Sequence, residues 1–384
     1  MDKQMTISAF SDELAQVRTK KKEFLSQIER IVPWGEWLAM IQPCYYKGER
    51  GNKPYPLEIM LRLYLLQNLY DLSDEATVAE AIDSRAFSEF CGVDSSNQVP
   101  DGDTIGRFRN LLVKNGLQGV FINGSSGEGY MLTEEERMRL AERWVSVAPE
   151  GFKVIVHVGS CCVKASRMLA EHAQKIGAWG IGAMAPPFPK IGRIEELVKY
   201  IEEIAAGAPE LPFYYYHIPA FNGAFLPMVK LLEAIDGRVP NFAGIKYTFE
   251  SMYEYNQCRL YKNGKFDMLH GQDETILPCL AMGGAQGGIG GTTNYNGKEL
   301  VGIIEAWEAG DIETARERQN FSQEVINVIC HFRGNIVGGK RIMKLIGLDL
   351  GKNRTPFQNM TDEEEAQMKA ELEAIHFFDR CNKF

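Results

Sequence analysis

The sequence predicts an α/β protein in which a (β/α)8 barrel with C-terminal helices follows an all-α N-terminal domain. Up to about residue 117, apolar residues recur at helical spacing and no convincing strand is found. From residue 119 onward, short apolar runs alternate evenly with amphipathic helical stretches. Near-continuous apolar strands that alternate with helices are typical of a parallel sheet covered on both faces. The even repetition favours a barrel over an open sheet.

The N-terminal domain, residues 1–117, is predicted from two helical runs. They consist of Leu57, Met60, Leu61, Tyr64 and Leu65, and of Ile105, Phe108, Leu111 and Leu112. The second run follows Asp103, which can cap a helix N-terminus, and stops at Gly116, which suits the position just past a helix end.

The second domain, residues 118–384, is predicted to contain seven strands. They are the apolar runs at 119–123, 153–158, 180–185, 212–218, 242–247, 266–270 and 285–290. The chain after residue 297 has a helical pattern, so no eighth strand is predicted there.

Composition and charge exclude several classes of function. The formal net charge of −9 argues against nucleic-acid binding. No apolar run is long enough to span a membrane, and the N-terminus shows no secretory signal. The eight cysteines form no C-x-x-C pair and have no metal-ligand spacing, which predicts reduced, buried thiols in a cytoplasmic protein and no metal site.

Polar residues at strand ends are the candidates for chemistry, because barrel active sites lie at the C-terminal ends of the strands. Lys246 lies at the end of one apolar run, where burial should lower the pKa of the amine and make it a nucleophile for Schiff-base formation. In the sequence Tyr214-Tyr215-Tyr216-His217, a phenol can relay a proton beside that amine. Each of these residues also has an interpretation without chemistry. Lys246 could be a surface lysine at a strand end, the tyrosines could pack in the core, and His217 could be a hydrogen-bonded structural residue.

Two further strand ends carry polar groups. The glycine-rich segment 124–129 contains Ser125 and Ser126, whose hydroxyls suit a carboxylate or phosphate. The residues that follow, 133–136, predict a capping box at the start of a helix. Asp273 and Glu274 suit sugar hydroxyls better than a metal, because no histidine lies at ligand spacing. A structural turn and a solvated charge pair are the alternatives.

From about residue 117 onward the chain resembles the N-acetylneuraminate lyase branch of the dihydrodipicolinate synthase family. The resemblance rests on NGSSGEG (123–129), FYYYHIPAFNG (213–223), GIKYT (244–248), GQDE (271–274) and GGIGGTTNYNG (287–297). It implies a class I aldolase that cleaves sialic acid to pyruvate and N-acetylmannosamine through a Schiff base on Lys246. It also implies a homo-oligomer and no metal or other cofactor.

The resemblance assigns roles to further residues. Tyr216 would transfer the proton of the C4 hydroxyl, and Ser125 and Ser126 match the family's carboxylate-binding pair. The positions around the imine and the sugar hydroxyls are Thr248, Gly271, Asp273 and Glu274.

Two positions distinguish this chain within the family pattern. Phe221 stands where the sister synthases carry an arginine that grips a carboxylate, which favours the lyase branch. Gly291 stands where many lyases have a serine, so a hydrogen bond to substrate worth about 1 kcal/mol would be lost.

Residues 1 to about 117 resemble the N-terminal helical domain of an insertion-sequence transposase, through the segments 53–74 and 99–112. No acidic transposase core follows, so strand transfer is not expected, and Lys20, Lys21 and Lys22 are interpreted as a solvated charge run. The chain is therefore predicted to be a chimera whose barrel lacks its first strand, with the helix at 104–116 in the place of the first helix. Unpaired strand edges predict marginal stability or aggregation. The alternatives are a DNA-binding remnant fused to an inactive barrel, and a non-functional fusion.

Overall fold

The computed structural model of the protein describes residues 20–42, 56–70, 72, 74–91, 104–284 and 287–383. The chain divides into two compact units, Met1–Thr104 and Ile105–Phe384. In the described residues of the first unit the regular elements are helices. They are α1 Lys20–Ile31, α2 Trp34–Ile41, α3 Leu57–Tyr70, α4 Asp74–Asp83 and α5 Arg85–Cys91.

The helices of the first unit enclose a small apolar core. It consists of Leu25, Ile59, Leu63, Leu66, Ala81, Phe87, Phe90 and Cys91. Arg62 is buried at its edge, where the guanidinium donates to Glu29 and Glu58. Helix α3 confirms the helical run predicted from Leu57 to Leu65.

Helix α6, Thr104–Lys114, carries the second predicted helical run. Leu111 and Leu112 are fully buried, and the Phe108 ring lies 5.6 Å from that of Trp144. The helix is followed by Gly116 in the left-handed conformation, with φ of +84°, as predicted. The predicted N-cap, Asp103, lies outside the described residues.

The second unit is built on a parallel sheet of six strands. They are β1 Gly119–Ile122, β2 Lys153–His157, β3 Gly180–Met184, β4 Phe213–His217, β5 Phe242–Tyr247 and β6 Asp267–His270, each paired with the next in chain order. Six of the seven predicted strands are therefore confirmed.

The prediction of a seventh strand at 285–290 is wrong for the residues of this run that the structure describes. Residues 285 and 286 lie outside the described residues, and the rest forms one isolated bridge, between Gly288 and His270. Glycines dominate this segment, and a glycine offers a sheet no side chain to pack and costs more backbone entropy.

The helices of the second unit follow the strands and continue beyond the sheet. They are α7 Glu134–Val147, α8 Val163–Lys175, α9 Ile194–Ala205, α10 Pro219–Asn222, α11 Met228–Ile235, α12 Met252–Leu260, α13 Ile276–Ala281, α14 Thr293–Glu308, α15 Ile312–His331, α16 Lys340–Leu345, α17 Asp362–Ala374 and α18 Phe377–Arg380. Helix α7 begins with the predicted capping box, since Glu136 N donates to Thr133 Oγ1 at 3.2 Å and Thr133 N donates to Glu136 Oε2 at 2.9 Å.

No disulfide joins the cysteines of the described residues. Cys91, Cys258, Cys279 and Cys381 are buried as predicted. The prediction of buried thiols is wrong for Cys161, Cys162 and Cys330, which are exposed. Cys44 lies outside the described residues. Among the described helices, none combines the length and apolar character needed to cross a membrane.

Candidate active site

Lys246 lies near the C-terminal end of β5 with only 5% of its surface exposed. Its Nζ is 3.7 Å from the centre of the Tyr216 ring and donates to Thr248 Oγ1 at 3.4 Å. The interpretation as a surface lysine is therefore excluded.

Tyr216 is the residue of β4 that pairs directly with Lys246 of β5. Its ring is almost fully buried, and its hydroxyl lies 3.1 Å from Ser125 Oγ. The Phe121 ring of β1 packs edge-on against it at 5.5 Å. The structure thus brings together three of the predicted residues, Ser125, Tyr216 and Lys246.

Ser126 and Gly291 form a second part of the site. Ser126 Oγ accepts a hydrogen bond of 2.8 Å from Asn335 Nδ2. A Cβ at position 291 would lie 2.8 Å from the same Ser126 Oγ and would overlap the Asn335 amide. The predicted neighbours Ser126 and Gly291 are therefore close together, with Asn335 between them. Sequence analysis missed Asn335.

Thr248 and Gly271 line the end of β5. Thr248 N donates to His217 O at 2.8 Å, and Gly271 N donates to Tyr247 O at 2.8 Å. A Cβ at position 271 would overlap Thr248 Oγ1, so only glycine fits beside the hydroxyl that contacts Lys246.

Asp273 is buried at the end of β6, which excludes a solvated charge pair for this residue. Its Oδ2 accepts from Thr292 N at 2.8 Å and from Thr292 Oγ1 at 2.6 Å. Its Oδ1 has no hydrogen-bond partner among the described residues. Burial raises the pKa of this carboxyl to about 6, against the effect of the Thr292 hydrogen bonds. Its neighbour Glu274 is half-buried and accepts from Gln272 Nε2 at 3.3 Å.

His157, at the end of β2, is a site residue that sequence analysis missed. Its Nε2 accepts from Met184 N at 3.3 Å, and its ring packs at right angles to that of Tyr216. Burial, with the charges of Arg137 and Lys246, lowers the pKa of His157 well below its usual value, so the ring is neutral. The strand-end rule that selected Lys246 would also have selected this histidine.

His217 lies on β4 beside Tyr216, and the prediction that it is hydrogen-bonded is wrong. Within the described residues neither ring nitrogen has a hydrogen-bond partner. The ring instead packs against Tyr247 at 5.2 Å and Phe249 at 5.6 Å. Burial lowers the pKa of His217 to about 3, so it is a neutral part of the aromatic core.

The lysines of α1 are the other charged group that the sequence singled out. Lys21 Nζ lies 3.0 Å from Glu80 Oε2 and 4.1 Å from the centre of the Phe87 ring. Lys22 Nζ lies 2.6 Å from Glu89 Oε2. Two of the three lysines therefore contact carboxylates of their own unit.

Comparison with known proteins identifies both parts of the chain. The Dihydrodipicolinate synthetase family matches residues 101–375. This chain belongs to that family. Residues 12–111 match a second family, the Transposase domain (DUF772), so the fusion predicted from the sequence is confirmed. Both matches include residues 104–111, the first two turns of α6.

Several relatives of this chain are named N-acetylneuraminate lyase. The N-acetylneuraminate lyase of Mus musculus is 38% identical over 277 residues, which cover 71% of this chain and 86% of the relative. Among solved structures, the Proteus mirabilis N-acetylneuraminate lyase is 31% identical with a TM-score of 0.69, covering 74% of this chain and 95% of that one. The N-acetylneuraminate lyase (sialic acid aldolase) of Aliivibrio salmonicida is 33% identical with the same TM-score, covering 74% and 93%.

Proposed function

We propose that the second unit is a Schiff-base aldolase that cleaves N-acetylneuraminate to pyruvate and N-acetylmannosamine. One observation carries the proposal: the buried Lys246 amine lies 3.7 Å over the ring of Tyr216, whose hydroxyl contacts Ser125. An amine nucleophile and a phenol on paired positions of neighbouring strands are the two groups that such a cleavage needs. The names of the relatives support the substrate.

In the proposed reaction, Lys246 Nζ attacks the C2 carbonyl of the open-chain sugar, and loss of water leaves an iminium. The C3–C4 bond then breaks, and its electron pair moves into the iminium to give an enamine. Tyr216 passes the proton of the C4 hydroxyl to the substrate carboxylate as the aldehyde forms. Return of a proton to C3 and addition of water release pyruvate and regenerate the amine.

The remaining residues would bind the substrate. We assign the carboxylate to the hydroxyls of Ser125 and Ser126, and the imine and sugar hydroxyls to Thr248, Gly271, Asp273 and Glu274. The buried, unpaired Oδ1 of Asp273 supports this assignment, because it can accept a hydrogen bond from a hydroxyl. The more than half-exposed Phe221 supports the lyase over the synthase reaction, because it offers no cation for a second carboxylate.

We further propose that the barrel lacks its first strand, that the chimera joins near residue 117, and that α6 takes the place of the first helix. In support, the described part of the chain offers β1 a strand partner on one side only, β2. An open edge exposes unpaired backbone groups, so we expect low stability, self-association and reduced activity. A monodisperse protein by light scattering with a cooperative thermal transition at ordinary mesophilic temperatures would contradict this part.

A homo-oligomer and a cytoplasmic location stay predictions from the sequence. We expect no nucleic-acid partner, and the ion pairs of Lys21 and Lys22 with carboxylates support that expectation. Salt-sensitive binding of duplex DNA to the full chain would contradict it.

The test of the proposed function is pyruvate release from N-acetylneuraminate by the full-length protein, with Lys246→Arg as the matched control. The arginine keeps a cation at the strand end but cannot form the imine. We expect release by the wild type and none by the variant. Equal release by both proteins, or none by a folded wild type, would overturn the proposal.

A further inference from the structure

Asn335 connects the C-terminal helices to the candidate active site. It begins the π-helical turn Asn335–Gly339, which follows α15. Its Nδ2 donates to Ser126 Oγ at 2.8 Å, and its Oδ1 accepts from the Tyr295 hydroxyl at 2.7 Å. Tyr295 is only 1% exposed, so the amide is anchored on its inner side by a fixed group.

Two glycines provide the space for this amide. A Cβ at position 291 would overlap Nδ2, and a Cβ at position 339 would lie 2.5 Å from Oδ1. Gly339 has ordinary helical φ and ψ, so it is the space, not the backbone conformation, that requires a glycine there. The absence of a serine hydroxyl at position 291 therefore has a physical reason, because the Asn335 amide occupies that space.

The direction of the hydrogen bonds fixes the role of the Ser126 hydroxyl. Asn335 Nδ2 can only donate, so Ser126 Oγ accepts this bond. The proton of the Ser126 hydroxyl is then left to be donated elsewhere. A carboxylate can only accept, so a serine in this state matches it.

We propose that Asn335 is a positioning residue that presets Ser126 as a hydrogen-bond donor to the substrate carboxylate, in the place that a hydroxyl at position 291 would take. This inference rests on the proposed function, since it assumes that Ser126 binds that carboxylate. It assigns Asn335 to substrate affinity and leaves the imine chemistry to Lys246 and Tyr216.

The experiment measures how the yield of borohydride-trapped pyruvate adduct depends on pyruvate concentration. For Asn335→Ala we expect the half-saturating concentration to rise about fivefold, as the loss of one hydrogen bond predicts, with the trapping rate at saturation within twofold. For Asn335→Asp we expect a larger rise, because the Ser126 hydroxyl would donate to the new carboxylate. For the double variant N335A/G291S we expect recovery toward the wild-type value, because a hydroxyl replaces the amide.

Asn256→Ala is the matched control, since it removes an amide of the same size that contacts Arg259 on α12. An unchanged half-saturating pyruvate concentration in Asn335→Ala and Asn335→Asp would overturn the inference. A lower trapping rate at saturation in these two variants, with the half-saturating concentration unchanged, would also overturn it. So would a double variant that melts like the wild type yet shows no recovery. A folded wild type that forms no adduct at any pyruvate concentration overturns the proposed function as well, whereas normal wild-type trapping with a failed Asn335 series overturns only this inference.

Discussion

Lys246 and Tyr216 lie on strands β5 and β4, and each of these strands is hydrogen-bonded to a neighbour on both sides. Ser126 instead lies on the loop after β1, and in the described part of the chain strand β1 pairs with β2 alone. The backbone ladder positions the first pair. The loop of Ser126 is held by a C-terminal segment, residues 335–354, through the side chains of Asn335 and Lys340 and the backbone N–H of Arg354. Asn335 contacts Ser126, and Lys340 and Arg354 contact Glu128.

The difference shows that one site can be built by two kinds of support. Ladder hydrogen bonds are numerous and each strand is fixed by its neighbours. The C-terminal segment instead contacts the loop through a few hydrogen bonds of charged and amide groups, so we expect the loss of one to matter more. Substitutions of Lys246 and Tyr216 on the central strands should therefore change chemistry, and substitutions that remove contacts with the C-terminal segment should change stability and affinity.

The largest effect is expected from Tyr216→Phe. The variant keeps the ring beneath Lys246 and removes only the hydroxyl. We expect kcat for sialic acid cleavage to fall by about 10² to 10⁴, as loss of a proton-transfer group predicts, while borohydride trapping of pyruvate on Lys246 continues. Steady-state kinetics with parallel trapping measures both. A variant with unchanged kcat would show that Tyr216 only packs against the amine.

The histidines at the strand ends, His157, His217 and His270, predict that the free energy of unfolding depends on pH. Burial lowers the pKa of His217 to about 3 and of His270 to about 4, and it lowers the pKa of His157 well below its usual value. The unfolded chain binds protons more readily, so this stability is present above about pH 6.5 and falls as pH drops, by about 1.4 kcal/mol per pH unit for each histidine. Asp273, with its pKa raised to about 6, acts with the opposite sign between about pH 4 and 6.

His217→Phe isolates one of these contributions, because the ring is surrounded by aromatic groups and phenylalanine keeps that packing. We expect the free energy of unfolding, from urea titrations at pH 7, 6 and 5, to fall less steeply on acidification than in the wild type. The difference should approach about 1.4 kcal/mol per pH unit. Parallel curves for the two proteins would show that His217 does not titrate on unfolding as its burial requires.

Glu128→Gln tests the C-terminal segment. Glu128 is 5% exposed and accepts from Lys340 Nζ at 2.6 Å and from Arg354 N at 2.7 Å. Loss of its charge leaves Lys340 without its carboxylate, and we expect the free energy of unfolding to fall by about 1.5–3 kcal/mol. Urea denaturation measures the change.

The matched control is Lys230→Ala, which breaks the exposed ion pair of Lys230 with Glu233. We expect a change within about 1 kcal/mol, since exposed pairs contribute little. If Glu128→Gln lowered the free energy of unfolding no more than this control does, the C-terminal segment would not be what holds the loop after β1.

The six strands and the meeting of Lys246 and Tyr216 at their ends are predictable from the sequence. The six apolar runs become strands that end within one residue of the predicted bounds, because a run of buried residues is a local signal. The rule that polar residues at the ends of parallel strands meet also places Lys246 beside Tyr216, on paired positions of β5 and β4.

The contacts between the C-terminal segment and the loop after β1 are not predictable by the same reasoning. Asn335 and Ser126 are 209 positions apart, and Lys340 and Glu128 are 212 apart, so no periodic pattern joins them. The sequence alone indicates a lost hydroxyl at Gly291, because the Asn335 amide that fills this space comes from beyond α15. The place of residues 285–290 in the alternation predicts a strand, although the glycines of this run disfavour one.

The most direct test of the proposed imine site is borohydride trapping of the purified whole chain with pyruvate, followed by peptide mapping. We expect a reduced adduct on Lys246 of the wild type and none on Lys246→Arg. That result would show that the six paired strands, with the contacts from the C-terminal segment, assemble a working imine site. No adduct in a sample shown to be folded, or an adduct on another lysine, would contradict it.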